Sequence, residues 1–582
     1  MQPTPSINHD LPFHPGPFGT FTEGLDYAAR GDTGFNFYSA RGELTAVLTY
    51  RELRERAIAA AQGLIRSGLA RGARMVLIAD TMPDFMVLFA ACQYAGLLPV
   101  PVALPTGLGG RDSYIATLRR QIQSCGAAAA MAPAELLDYL KEAAAGTSAK
   151  IVGSAAEFLA LPGGDAELRP FAPDESCYLQ FSSGSTRFPK GIDVPQRALM
   201  ANAHAIAIDG LGLVQGDRAV SWLPLYHDMG LVGFMLSPLL SQVTVDYLAT
   251  RDFARRPLMW PTLISQNRAT LSYSPTFGYD LCSRRVSEGR LATPDLDLSC
   301  WRIAGIGGDM IQPHVLERFG VAFASCRFDP KAFLPSYGMA EAVLAISFSP
   351  RDQGMLTDAV DRGRLAEEGR AVPADPRSDE TRRFVLCGRP LTGHVAEIRG
   401  EDGEVLPDRM IGRLFVKGPS LMAGYYGQPE ETERVLSADG WLDTGDLGYS
   451  LEGALVITGR AKDLIIIAGR NIWPQDLEWS VEESLDLKRN DACAFSIEGP
   501  EGQEQVVMLV VSRQTDPAER ETLRQGAQSL LQRAHGIEAR IALVGPRDIP
   551  HTSSGKIARA RAKAAYLTGH YQEGGAGAAQ PR

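Results

Sequence analysis

The sequence predicts an α/β protein, with a large portion built on mostly parallel sheet, a barrel-like β portion, and a small α+β domain at the end. Three observations carry that expectation. Strand-length apolar runs alternate with helix-length segments from residue 44 onward, the pattern of a sheet covered on both faces. From Arg382 to Lys417 the texture changes to short alternating runs split by Gly and Asp, as antiparallel or barrel-like strands require. Beyond Gly459-Arg460 a block of about 120 residues carries its own strands and two helices, enough for a separate domain.

In chain order, a helix is expected over Arg51–Ser67, a strand over Arg74–Ala79 and a buried helix over Phe85–Ala95 running into an extended strand. Further strands are expected at Ala127–Met131, Lys150–Val152, Cys177–Phe181, Ala219–Leu223, Val243–Tyr247 and Arg302–Gly305. Arg351–Arg383, rich in charge and holding Pro373 and Pro376, reads as a loop-like insertion. Val395–Arg399 alternates as a strand. In the last block Leu464–Ala468, Val506–Val511 and Arg540–Val544 read as strands, and the Gly/Ala-rich residues 574–582 as a disordered tail.

Bulk properties exclude several classes. The net charge of −10, with no Lys/Arg block, argues against nucleic acid as the main partner. Eight cysteines without a C-x-x-C pair or a histidine cluster fit neither a disulfide framework nor a zinc site, and point to buried thiols in a reducing cytoplasm. Met86–Pro105 lacks charge, but Pro99, Pro101 and Pro105 break it, so no membrane insertion is expected. No secretory signal is visible in Met1–Thr20.

The richest chemistry follows the strand ending at Phe181. Ser182-Ser183-Gly184-Ser185-Thr186-Arg187-Phe188-Pro189-Lys190-Gly191 offers hydroxyl donors, backbone N–H groups unobstructed at the glycines, and a lysine. That is the composition of a polyphosphate cradle, though the P-loop spacing is absent. Downstream, in order, stand Pro335-Ser336-Tyr337-Gly338-Met339-Ala340-Glu341, Trp441–Asp446, Gly459–Asp463 and Thr552-Ser553-Ser554-Gly555-Lys556.

Together the five segments resemble the adenylate-forming superfamily of acyl-CoA synthetases, luciferases and peptide-synthetase adenylation domains. Ser221–Gly230, Asn471–Glu478 and the Arg351–Arg389 region resemble its fatty acyl-AMP ligases in particular. The resemblance implies a large domain of two mostly parallel sheets plus a barrel-like portion over 1–460, with an insertion near 351–383. It further implies a hinge at 461–462, centred on Lys462, and a mobile small domain over 463–573.

It also implies ATP as substrate and Mg²⁺ as cofactor. Ser182, Ser183, Gly184, Ser185, Thr186 and Lys190 would hold the phosphates, Glu341 the metal, and Lys556 would be the catalytic cation, with Thr186 assisting. Gly307, Gly308, Asp309, Ser336, Tyr337, Gly338 and Met339 would surround the adenine, while Asp446 and Arg460 contact the rest of the nucleotide. A solvated loop cation and a phosphate ligand are equal readings of Arg187; Arg559, Arg561 and Lys563 read as exposed loop cations. His227, Met229, Gly230, Phe277 and Gly278 are the implied acyl pocket, with His227 read either as a gate or as a core histidine. The implied partners are a fatty acid and the phosphopantetheine thiol of an acyl carrier protein, with CoA as the alternative acceptor.

Overall fold

A computed structural model describes residues 11–105, 110–182, 190–287, 295–467, 470–499, 504–552 and 555–571. The Ser183–Pro189 stretch of the hydroxyl-rich loop, Ser553–Ser554, Ala468 and the 574–582 tail lie outside the described residues.

Two sheets organise the first part of the chain. In one, Leu98–Val102, Arg74–Ile78, Ala129–Ala132 and Ile151–Ser154 lie side by side, all parallel. In the other, nine described strands run Arg389–Pro390, Ala345–Phe348, Phe333–Gly338, Ile303–Ile306, Leu271–Ser274, Arg218–Ser221, Thr244–Leu248, Gly34–Tyr38 and Leu44–Thr49. Its six central strands are parallel and its edges antiparallel.

The helix Pro83–Ala95 shows why the apolar run belongs inside. It is apolar all round, starts on a proline at its first turn, stops at Gly96 with φ 69°, and buries every residue from Phe85 to Ala95. The neighbouring helix Tyr50–Arg66 is capped by the Thr49 hydroxyl on Glu52 N–H and buries only one stripe, including Leu53, Ala57, Ala61 and Leu64.

The change of texture after Arg382 corresponds to an antiparallel sheet of Val395–Arg399, Gly412–Lys417, Leu442–Leu451 and Ala454–Arg460. The expected insertion is not a plain loop. Thr357–Asp361 pairs antiparallel with Thr381–Val385, and the helix Arg362–Glu368 lies between them in sequence. Its buried Val360, Leu365, Ala371 and Phe384 cluster with Tyr449, Val456 and Trp473, so apolar contacts that sequence polarity concealed give it order.

After Asp463, two apolar clusters draw their buried members only from residues 465–562. Ala492–Glu498 pairs antiparallel with Glu504–Val511, which pairs parallel with Ala539–Val544. Three helices accompany these strands among the described residues, Pro474–Ser484, Pro517–His535 and Arg559–Leu567, where sequence patterning indicated two. Arg559 explains the miss. It pairs with Glu478 at 2.5 Å and Asp463 at 3.4 Å, its side chain 13 % exposed, and so is no loop cation.

Candidate functional site

At the C-terminal edge of the central parallel strands, Gly307 and Gly308 follow Ile303–Ile306, and Ser336–Gly338 end their own strand. This is where open α/β sheets bind ligands. A cavity of ≈ 600 Å³ opens there, and its walls bring together residues from distant parts of the chain. Ser182, Lys190, Gly307, Gly308, Ser336, Tyr337, Gly338, Met339, Glu341, Arg460, Lys462, Lys556, His227 and Met229 all line it.

Several of these polar groups are held by an identifiable partner. Lys190 Nζ lies 2.6 Å from Glu431 Oε2 and 4.4 Å from the centre of the Tyr425 ring. Tyr425 in turn donates its hydroxyl to Glu341 Oε1 at 3.0 Å. Loss of solvation raises the Glu341 carboxyl above the ordinary value, with Tyr425 and Arg460 opposing. A shielded carboxylate near Arg460 and Lys462, short of full compensation, is a fitting ligand for a hard divalent ion shared with phosphate. No cluster of three or more His, Cys, Asp or Glu able to hold a metal occurs among the described residues, so Glu341 would share the ion with substrate oxygens.

Asp446 is not in the cavity wall but directly behind it. It accepts the Tyr337 hydroxyl at 2.6 Å and lies 3.3 Å from Arg460 Nε. That attraction raises the Arg460 guanidinium further. Asp309 also points elsewhere than expected, accepting from Thr276 N–H and Oγ1 and pairing with Arg489 at 2.8 Å.

Lys556 reaches the cavity from the small C-terminal block. Its turn is closed by Thr552 N–H to Lys556 C=O at 2.8 Å and Gly555 N–H to Thr552 C=O at 3.0 Å, with Gly555 at φ 79° where a side chain would be strained. Asn490 Nδ2 bonds Gly555 C=O at 3.3 Å, so adjacent residues 489 and 490 hold both Asp309 and the lysine turn. Burial and Arg460 lower the Lys556 ammonium, against the pull of Asp228, Asp309 and Asp446. Lys462 is lowered for the same reason, burial first and Arg460 second.

Asp228 is a residue that sequence reading passed over. It lies 2.5 Å from His227 Nδ1. Burial works to raise its carboxyl, but His227 and Lys556 outweigh that and hold it below the ordinary value. The signal lay in the quoted Ser221–Gly230 stretch; Tyr425 and Glu431, far away in sequence, gave none.

Beyond the polar end the cavity turns apolar. Ile206, Leu211, Leu213, Ala219, Phe234, Val243, Leu271, Leu344 and Phe348 form its walls. Two π-helical turns, Ile206–Gly210 and Val232–Leu236, contribute Ile206, Gly233 and Phe234, a wider helical winding often found at functional sites. Three residues expected in the acyl pocket are absent from its wall. Phe277 stacks edge-on against Trp222 at 5.4 Å, a Cβ on Gly278 would meet Ser274 Oγ at 2.0 Å, and one on Gly230 would meet Pro224 C=O at 2.1 Å. Phe277 and Gly278 pack against Trp222 instead, and Gly230 against the Leu223–Pro224 backbone.

Known proteins share this architecture. The AMP-binding enzyme family matches residues 35–426. The chain belongs to that family. It is 51 % identical over 555 residues to the "Putative acyl-CoA synthetase" of Caulobacter vibrioides, covering 95 % of this chain and 96 % of that protein. It is 30 % identical to the long-chain-fatty-acid–AMP ligase FadD32 of Mycolicibacterium smegmatis, covering 93 % and 92 %. Among solved structures, one from a study of fatty acyl-adenylate ligases of E. coli and L. pneumophila superposes with a TM-score of 0.91 at 45 % identity, covering 96 % and 100 %. The chain is thus an adenylate-forming enzyme with the fold of the fatty acyl-AMP ligases. No described helix is long and apolar enough to cross a membrane.

Proposed function

We propose that this AMP-binding enzyme activates a fatty acid with ATP and passes the acyl group to the phosphopantetheine thiol of an acyl carrier protein in the cytoplasm. One observation carries the reading: a single cavity joins a cation-rich end, with Lys190, Arg460, Lys462, Lys556 and Glu341, to a long apolar end. A nucleotide and a lipid acid are the pair that such a cavity suits.

In the first step a carboxylate oxygen attacks the α-phosphorus, and the bond to the leaving pyrophosphate breaks. Two anions must approach, so cations placed where charge builds up lower the barrier. Lys556, facing Asp228 and Arg460, is the group we assign to the α-phosphate and the attacking carboxylate. Ser182 and Lys190 would border the departing phosphates, and Tyr337 and the Gly307–Gly308 pair the adenine, while Asp446 behind the wall would hold Tyr337 and Arg460 toward the rest of the nucleotide. Glu341 would hold Mg²⁺, which supplies charge neutralisation to the phosphates. In the second step the thiol sulfur attacks the acyl carbon, the acyl C–O bond breaks so that AMP leaves with the bridging anhydride oxygen, and the thiol proton passes to solvent. No protein nucleophile is needed.

Support for a carrier-protein acceptor comes from the contact between the insertion and the small C-terminal block. Arg382 pairs with Asp476 at 2.9 Å and lies over the rings of Phe384 and Trp473 at 4.2 and 5.0 Å. A block so anchored resists turning about Lys462, the rearrangement a CoA-using relative would need. The Caulobacter relative's name favours the second reading, CoA as acceptor. Mass spectrometry of products from one fatty acid offered both CoA and carrier protein separates them. Acyl-carrier alone supports the proposal; acyl-CoA as the main product defeats it.

A further inference from the structure

We propose that Val243 is the end wall of the acyl cavity and sets the longest chain the enzyme accepts. This rests on the reading that the cavity's apolar end takes an acyl chain. The polar end lies at the C-terminal edge of the parallel strands. The apolar end lies at the opposite edge, because Leu271 opens its strand, Ala219 is second in its own, and Val243 immediately precedes Thr244–Leu248. The chain therefore crosses the whole depth of the sheet, about 13 Å for four-residue strands.

Behind that edge is a second cavity of ≈ 240 Å³, and Val243 lines both. The second is bordered by Asp32, Thr33, Gln215, Gln242 and Thr244 together with the apolar Leu11, Phe13 and Val214, and the Val243 side chain stands between it and the first. The partition is rigid. Val243 N–H bonds Pro238 C=O at 2.8 Å, and its carbonyl accepts the buried Tyr50 hydroxyl at 2.6 Å. The preceding Gln242 sits at φ 53° with its amide tied to His14 at 2.8 and 3.0 Å. A wall fixed at both backbone groups cannot swing aside, so its side chain acts as a stop.

Each further buried methylene strengthens binding about fourfold, until the chain meets that stop. Chain length should therefore be limited sharply, with kcat/KM rising with carbon number and then collapsing. The experiment is adenylation of a saturated acid series by the full-length enzyme, read as fatty-acid-dependent pyrophosphate exchange, for wild type, Val243→Ala and Val243→Phe. Removing two methyl groups moves the longest accepted acid up by about two carbons or more, and the phenyl ring moves it down by at least as much. Unchanged limits in both active variants would overturn the inference. Failure of wild type to use any acid would instead overturn the functional reading beneath it. If one variant does not fold, the opposite shift in the other still decides.

Discussion

Replacing Arg382 with alanine tests the anchored small domain through numbers the structure supplies. The Arg382 side chain is 7 % exposed and that of Asp476 16 %, so the substitution leaves a nearly buried carboxylate without its cation. Breaking such a pair from one side costs about 3–5 kcal/mol. Loss of the contacts with Phe384 and Trp473 adds about 1–2 kcal/mol. Even 3 kcal/mol taken from docking raises the undocked population on the order of a hundredfold. Two assays read the result. Hydrogen exchange across Pro474–Ser484 should accelerate, and CoA thioester formation should rise relative to transfer to carrier protein, while adenylation itself persists. Faster exchange with unchanged CoA use would refute the link between this anchor and acceptor choice. Unchanged exchange would refute the anchor.

The remaining predictions concern the polar end of the cavity. Lys556→Ala should reduce fatty-acid-dependent pyrophosphate exchange by about a thousandfold, the scale of losing a preorganised transition-state charge, with circular dichroism unchanged. Because burial and Arg460 lower the Lys556 ammonium, which must stay charged to act, activity should fall as pH rises at a lower pH than for an ordinary lysine. Asp228→Asn removes an anion that favours charged Lys556, so the same limb in the pH profile should move lower still. Glu341→Gln should raise the Mg²⁺ concentration needed for half-maximal exchange about tenfold or more, without altering the overall fold.

Much of this was legible in the chain because the signals were local. Phe85–Ala95 declared itself by a charge-free, mostly apolar run between a proline and a glycine, and Val395–Arg399 by short alternation between turn residues. The dispersed segments carrying Glu341, Arg460 and Lys556 were recognisable, and the fold brings these three residues to one cavity. What stayed hidden depended on partners. Arg559 looked like a solvated cation because Glu478, which pairs with it, lies 81 residues away, and the partner of Arg382, Asp476, is likewise remote in sequence. The ordered insertion was masked by its charge. Phe277 and Gly278 were placed in the acyl wall, yet the side chains around Trp222 direct them into the packing behind it. Tyr425 and Glu431, which hold Glu341 and Lys190, belong to a polar stretch with no motif to announce it.

The proposed chemistry requires the lysine of the small domain and the nucleotide site of the large one to act on a single acyl carboxylate. The most direct test is to incubate the enzyme with a fatty acid, ATP and Mg²⁺ and no thiol, then search for the mixed anhydride by mass spectrometry. Wild type should form bound acyl-AMP, and Lys556→Ala should form it about a thousandfold more slowly. Nucleotide binding without acyl-AMP in the wild type, or acyl-AMP formed equally fast by both proteins, would contradict that chemistry.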